Sequence, residues 1–317
     1  MTITRDPLPA PGTSRRAFRR QVAASLATDH DGVCHREQLR RRGVTRDDIR
    51  HEVQAGRWIL RGHQTVQVQP GGPAADWWRA VWEVRGSARL DGVSALLAAG
   101  LRHWEEATVH VSVPEGTHIT PIVGVTVHKT RHAVDITGEP VRTTPEWAAL
   151  HAAAWAGSDR AATTLLAMAV QQRITTGPRL QALLTRSPAL PRIHLIRGVV
   201  ADVTGGAQAL SEIDFAKVCR THGIPEPLRQ AMRRGHTGRI YLDAFWDAYD
   251  VAVEVDGFQH TVGHAVVEDA LRDNVVRNDG VAVLRIPVLG LRVAPTEFAE
   301  QVKAALHRGG WPGDPQR

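Results

Sequence analysis

Residues 249–257, YDVAVEVDG, set the tightest limit on how this 317-residue chain folds. Val251, Val253 and Val255 alternate with Ala252, Glu254 and Asp256, the period-two pattern of a strand with one apolar face and one face that carries acids. GRIYLDAFW, just before it, reads as a second strand. A hairpin centred between Ala248 and Tyr249 places Asp243 opposite Glu254 and Tyr241 opposite Asp256. Directly paired positions hold their Cβ atoms about 4.5–5.5 Å apart, and two carboxylates at that distance repel and raise each other's pKa. A cation between them removes the conflict, and carboxylate oxygens with open water positions suit Mg²⁺ or Mn²⁺.

The neighbouring residues extend this site. Glu212, early in the helix of ALSEIDFAKVCRTHG, is placed to reach the same cation, and His260, just past the strand, is a candidate general acid or base. Gly257 lets the chain leave the strand sharply. Asp269, Arg272 and Asp273 share one stripe of the following helix, where Arg272 either holds a phosphate or pairs with Asp269. The plainer explanations are surface acids on an edge hairpin and a solvated helix face.

The chain is long enough for two or three domains, each with its own core. Its net charge is +6 and its pI about 10.1, carried almost wholly by arginine, since Lys129, Lys217 and Lys303 are the only lysines. Such a balance suits a nucleic-acid partner, and a GC-rich genome writes it without functional cause. Cys34 and Cys219 stand far apart, which supports neither a zinc ribbon nor a disulfide framework. MTITRDPLPAPGTSRR lacks an apolar signal core, and VSALLAAGL at 93–101 is too short to span a bilayer, so no membrane association and a cytoplasmic location are expected.

Residues 1–13 read as a disordered lead and 309–317 as a tail. In 14–71, a helix capped by Ser14, a short helix closed by Gly43, a third helix between Thr45 and Gly56, and a ribbon turning at Gly62 predict a winged helix-turn-helix. The third helix would face DNA with Arg46, Arg50 and His51, with Arg57 and Arg61 at the wing to hold phosphates. Asp47 and Asp48 complement the helix dipole and also repel phosphate.

Residues 72–205 predict a middle α/β domain, with helices in AADWWRAVWEVRG, PEWAALHAAAWAG and RAATTLLAMAVQQR and strands at 108–114 and 124–130. His110 and His128 lie on those strands with no close partner at ligand spacing and read, with His132, as polar residues on a basic surface. Trp77, Trp78 and Trp82 recur at helical spacing and read as core. Residues 206–308 predict helix, three strands, helix, strand, helix: an α/β arrangement on a mixed sheet.

The helix beginning SE, the Asp of YLDAFW, VEVDGFQH, EDALRDNVVRNDG and VAVLRI occur in order and together resemble very-short-patch-repair-like endonucleases of the PD-(D/E)xK superfamily. That resemblance implies a restriction-endonuclease-like fold in which Asp243 and Glu254 are the metal-binding acids, Glu212 the helix acid and His260 the histidine after the strand. The lysine of the ExK motif is replaced by Asp256. GVCHREQLRRRGVTRDDIRHEVQAGRWILRG, followed by HVSVP, GVTVHKTR and PVRTTPEWAALHAAA, is similar to the AbiEi-like type IV antitoxins, with HQTVQV where those proteins carry a tyrosine.

Two functions are therefore expected in competition. One is a Mg²⁺-dependent endodeoxyribonuclease that binds DNA through its winged helix. The other is an antitoxin-like regulator, with a toxin protein as partner, whose nuclease-like domain is catalytically inactive. Asp256 separates them: a cation supplied from elsewhere favours the enzyme, and an unfilled position favours the regulator.

Overall fold

Ser14 opens the first helix by accepting a hydrogen bond from the Ala17 amide at 3.2 Å. The computed structural model describes residues 14–84, 87–186, 190–205, 208–235, 238–256, 282–287, 290–291 and 294–313, with backbone alone at 205, 208–214, 229–235, 238–243 and 256. By its internal contacts the chain divides into two units, 1–99 with 104–148 and 100–103 with 149–317.

The first unit begins with α1 (Arg15–Thr28), β1 (Val33–His35), α2 (Arg36–Arg41), α3 (Arg46–Gln54), β2 (Ile59–Leu60) and β3 (Thr65–Gln67). The three strands form an antiparallel sheet in the order β1-β3-β2. Thr45 and Asp48 form a reciprocal capping box at the start of α3. Ala23, Ala27, Leu39, Val44, Ile49, Trp58 and Val66 close the core beneath these elements. Gly32 has φ +87°, and a Cβ there would lie 2.7 Å from the Gln69 carbonyl oxygen, so glycine alone fits the entry to β1.

α4 (Ala74–Glu83) ends in a carboxylate that pins the turn between β2 and β3. Glu83 accepts from the amides of His63, Gln64 and Thr65, each at 2.8 Å, and from the Thr65 hydroxyl at 2.7 Å. Burial pushes the Glu83 pKa up, but these bonds outweigh it and hold the group below the ordinary glutamate range.

Beyond α4 come β4 (Arg89–Leu90), α5 (Gly92–Ala98), β5 (Val109–Pro114), β6 (Val125–Thr130), β7 (Ile136–Thr137) and β8 (Arg142–Thr143). They build a mixed sheet in the order β6-β5-β4-β8-β7. Asp91, fully buried, ties α5 to it: its Oδ1 accepts from the Gly92 amide at 2.7 Å and the Thr143 hydroxyl at 2.9 Å.

α6 (Pro145–Trp155) runs across the division between the units. In the second unit, α7 (Asp159–Gln171), α8 (Gly177–Leu184) and α9 (Ile193–Gly205) pack together, and α10 (Gln208–Thr221) leads into the third sheet. Its strands are β9 (Leu228–Gly235), β10 (Gly238–Trp246), β11 (Val251–Asp256) and β12 (Ala282–Pro287), in the order β12-β11-β10-β9. β9, β10 and β11 are successively antiparallel, whereas β11 and β12 are parallel.

The described chain is thus a mixed α/β protein with three sheets, and none of its described helices is long and apolar enough to cross a membrane. The final helix, α11 (Pro295–Arg308), buries Phe298, Val302 and Leu306 against one face of the third sheet, where Ala244, Trp246, Val251, Val253, Leu284 and Ile286 also meet Phe215 and Cys219 of α10.

Candidate functional site

The β10–β11 hairpin turns through a 3-10 segment at Asp247–Tyr249, with Asp250 in the left-handed region. Its ladder pairs Ala244 with Val253, Phe245 with Ala252 and Trp246 with Val251. This is the register expected from the sequence; its pairs run from Trp246–Val251 to Ala244–Val253, and the same register continued by one step would set Asp243 opposite Glu254. The side chains of Asp243, Asp256 and Glu212 lie outside the described residues, as do His260, Asp269, Arg272 and Asp273 altogether.

Strand alternation splits the sheet. Ala244, Val251, Val253 and Leu284 belong to the core shared with α10 and α11, and Phe245, Ala252 and Val283 form a smaller buried cluster on the other face. Glu254 follows Ala252 onto that second face, and Arg285 follows Val283. The two are direct partners in the parallel ladder, and Arg285 Nε donates to Glu254 Oε2 at 3.2 Å. Glu254 keeps 28 % of its side-chain surface open and Arg285 52 %, so the carboxylate sits between a buried apolar floor and solvent with a guanidinium at its side.

Glu212 stands one turn before Phe215 on α10, and α10 packs against the face opposite Glu254. Among the described residues no group of three or more His, Cys, Asp or Glu side chains is gathered to hold a metal.

Two of the three acids of α3 turn inward. Asp48 and Glu52 are buried, and Arg19 of α1, itself buried, binds both, with Arg15 adding a second partner for Asp48 and Arg57 one for Glu52. For Asp48, burial raises the pKa, but the bonds from Arg15, from the Thr45 amide and hydroxyl and from Arg19 prevail and hold it well below the carboxylate range. For Glu52, the bond from Arg57 leads and that from Arg19 adds to it, against burial, so its pKa also falls. Asp48 therefore presents no charge outward, and Asp47 is engaged by Arg50 at 2.8 Å.

The five expected arginines now separate. Arg57 is held by Glu52, and Arg61 binds Asp76 at 2.7 Å and Gln67 at 2.9 Å. Arg46 and Arg50 are exposed on α3 beside His51. Arg272 is outside the described residues.

The histidines of the middle strands need a correction. In the parallel ladder His110 lies opposite Thr126 and His128 opposite Ser112, and this diagonal brings His128 Nε2 to 3.1 Å from His110 Nδ1. They are close partners, which sequence spacing cannot show because the residues meet only across the ladder. Glu106 lies 3.8 Å from His110 Nε2. Burial leads the causes that lower the His110 pKa, against the pull of Glu106 and Asp91, which favours the neutral imidazole.

Trp78 and Trp82 pack edge-on to His30, with ring centroids 4.5 and 5.2 Å away, as half-buried packing rather than an open stacking platform. Burial pushes the Cys34 thiol up to about 12, so it is no nucleophile at neutral pH.

No protein-family model and no curated protein sequence matches the chain.

Proposed function

We propose that the protein is a cytoplasmic, metal-dependent DNA endonuclease. Residues 15–67 would act as a winged helix-turn-helix and the β9–β12 sheet with α10 and α11 as a restriction-endonuclease-like domain. The order helix, strand, helix, helix and two-stranded ribbon supports the first assignment. Inward neutralisation of Asp48 and Glu52, with Arg46 and Arg50 exposed, supports α3 as the helix that meets DNA.

The observation that carries the enzymatic reading is the Glu254–Arg285 pair. Asp256 stands where the resembled nucleases have a lysine, and Arg285 sets a permanent cation beside Glu254, the acid that would bind the metal, from the adjacent strand. Arginine stays protonated at any working pH, so its part is electrostatic: it orients Glu254 and offers a donor to a phosphate oxygen.

The partly exposed Glu254 carboxylate fits a hard, oxygen-liganded ion, and Asp243, Glu254 and Glu212 would hold it. When bound, Mg²⁺ or Mn²⁺ supplies an activated water and charge neutralisation at the scissile phosphate. His260 would act as general acid or base, and Arg272 would hold a flanking phosphate.

Cleavage of supercoiled and mismatch-containing DNA with each metal, compared between wild type, Glu254→Gln and Arg285→Ala, tests this. Activity should vanish in the first variant and fall at least tenfold in the second. Wild-type cleavage that survives Glu254→Gln would remove the site.

A second function is favoured by Asp256 itself. Without the expected lysine the sheet would be an inherited scaffold, and the protein an antitoxin-like regulator that binds DNA and a toxin partner. Tight DNA binding without cutting under either metal supports it.

A further inference from the structure

Between α2, α3 and the edge strand β2 lies a groove of about 470 Å³ with two kinds of wall. Ile49, Val53 and Leu60 make its floor apolar, and Leu60 keeps 46 % of its surface exposed there. Arg36, Arg40, Arg46 and Arg50 stand around it.

The four cations differ in what already holds them. Arg40 binds Glu37 at 2.6 and 2.7 Å, and Arg50 binds Asp47. Among the described residues Glu37 is the one acid lining the groove, and Arg41 also holds it at 3.1 Å, so its charge is offset twice. Arg36 and Arg46 make no side-chain hydrogen bond or ion pair among the described residues, and Arg36 Nε is buried without a partner. Two guanidinium groups without partners beside an apolar floor favour an occupant that brings both an acidic group and apolar surface.

We propose that this groove binds a small organic anion with an apolar body, its acidic group between Arg36 and Arg46 and its body on Ile49, Val53 and Leu60. The volume lies within the range of roughly 300–1,000 Å³ usual for small-ligand pockets. A nucleic-acid backbone satisfies the arginines but leaves the apolar floor uncovered, whereas a purely apolar ligand leaves Arg36 unmet. An occupant also covers Arg46 and Arg50, so ligand and DNA exclude each other. That exclusion, unlike the binding itself, rests on the assignment of α3 to DNA.

The test titrates the full chain with the fluorescent anion 1-anilinonaphthalene-8-sulfonate and with neutral N-phenyl-1-naphthylamine. Single-site saturation by the anion is expected, at least tenfold tighter than for the neutral probe. Arg36→Gln with Arg46→Gln should weaken it tenfold or more. Gln54→Glu, an exposed change that adds a carboxylate at the rim, should weaken it too without disturbing the fold.

Equal binding of the neutral probe, binding unchanged in both variants, or no saturable binding overturns the proposal. A parallel titration with a 20-base-pair duplex separates the two assignments. If anion binding passes these tests while the duplex does not compete, the groove stands and the α3–DNA assignment falls. If the duplex binds through Arg36 and Arg46 and the anion does not bind, the groove belongs to the DNA surface and the proposal falls.

Discussion

Replacing Arg19 with Met should destabilise the first unit through the acids it leaves behind. Among the described residues Arg19 alone binds both Asp48 and Glu52, and all three are buried. Removing one partner from a buried ion pair costs roughly 3–5 kcal/mol, mostly the penalty of an uncompensated charge. Arg15 remains on Asp48 and Arg57 on Glu52, which places the cost near the lower end, about 3 kcal/mol. At about 2–4 °C per kcal/mol for a unit of this size, the corresponding calorimetric transition should drop by roughly 6–12 °C. Arg41→Met, which removes only an exposed bond to Glu37, should leave it in place.

The pH dependence carries a sign. Asp48 and Glu52 both have pKa values lowered by folding, so the unfolded chain binds more protons and stability falls as the pH is lowered. Their contribution is complete above the unfolded carboxylate range, about pH 4, and is lost as pH falls through the folded values below it. The gap between wild type and Arg19→Met should therefore narrow steadily below pH 4. A shift under 2 °C at pH 7, or a gap that widens on acidification, would refute the account of the buried network.

Three further outcomes follow from named interactions. Arg46→Ala with Arg50→Ala should reduce the slope of log affinity for DNA against log salt by about 2, one unit for each phosphate no longer neutralised, whereas Arg57→Ala, already spent on Glu52, should leave the slope unchanged in the same titration. Glu212→Gln should lower Mn²⁺ affinity less than Asp243→Asn in calorimetry, because α10 packs on the face away from Glu254; the reverse order would demote the hairpin pair. Phe298→Ala empties a fully buried position between α11 and the third sheet and should cost about 3–5 kcal/mol in a denaturant melt.

Where the sequence was informative, the information was local. Ser14 and Thr45 announced their helices through cap chemistry, and the hairpin register followed from two alternating runs joined by a few residues. The three-residue β1 and the two-residue β4, β7 and β8 are too short to show a period. VSALLAAGL hid α5 because an almost wholly apolar run has no polar face to mark its turns.

The site was legible in the same measure. Glu254 could be singled out from its own strand, but Arg285 became its neighbour only through a parallel ladder spanning 31 positions. Asp47 and Asp48 looked alike in sequence. They part because the capping box and Arg15 and Arg19, some 30 residues earlier, draw Asp48 inward, while Asp47 stays on the surface with Arg50.

If Asp243 and Glu254 hold the ion that cuts DNA, removing one of the two carboxylates must abolish cutting. Purified wild type and Asp243→Asn, shown by circular dichroism to be equally folded, are incubated with supercoiled plasmid and Mg²⁺ or Mn²⁺. Nicking or linearisation by the wild type that is abolished in the variant is the predicted result. Equal cutting by both, or no cutting by either while DNA is bound tightly, would contradict it.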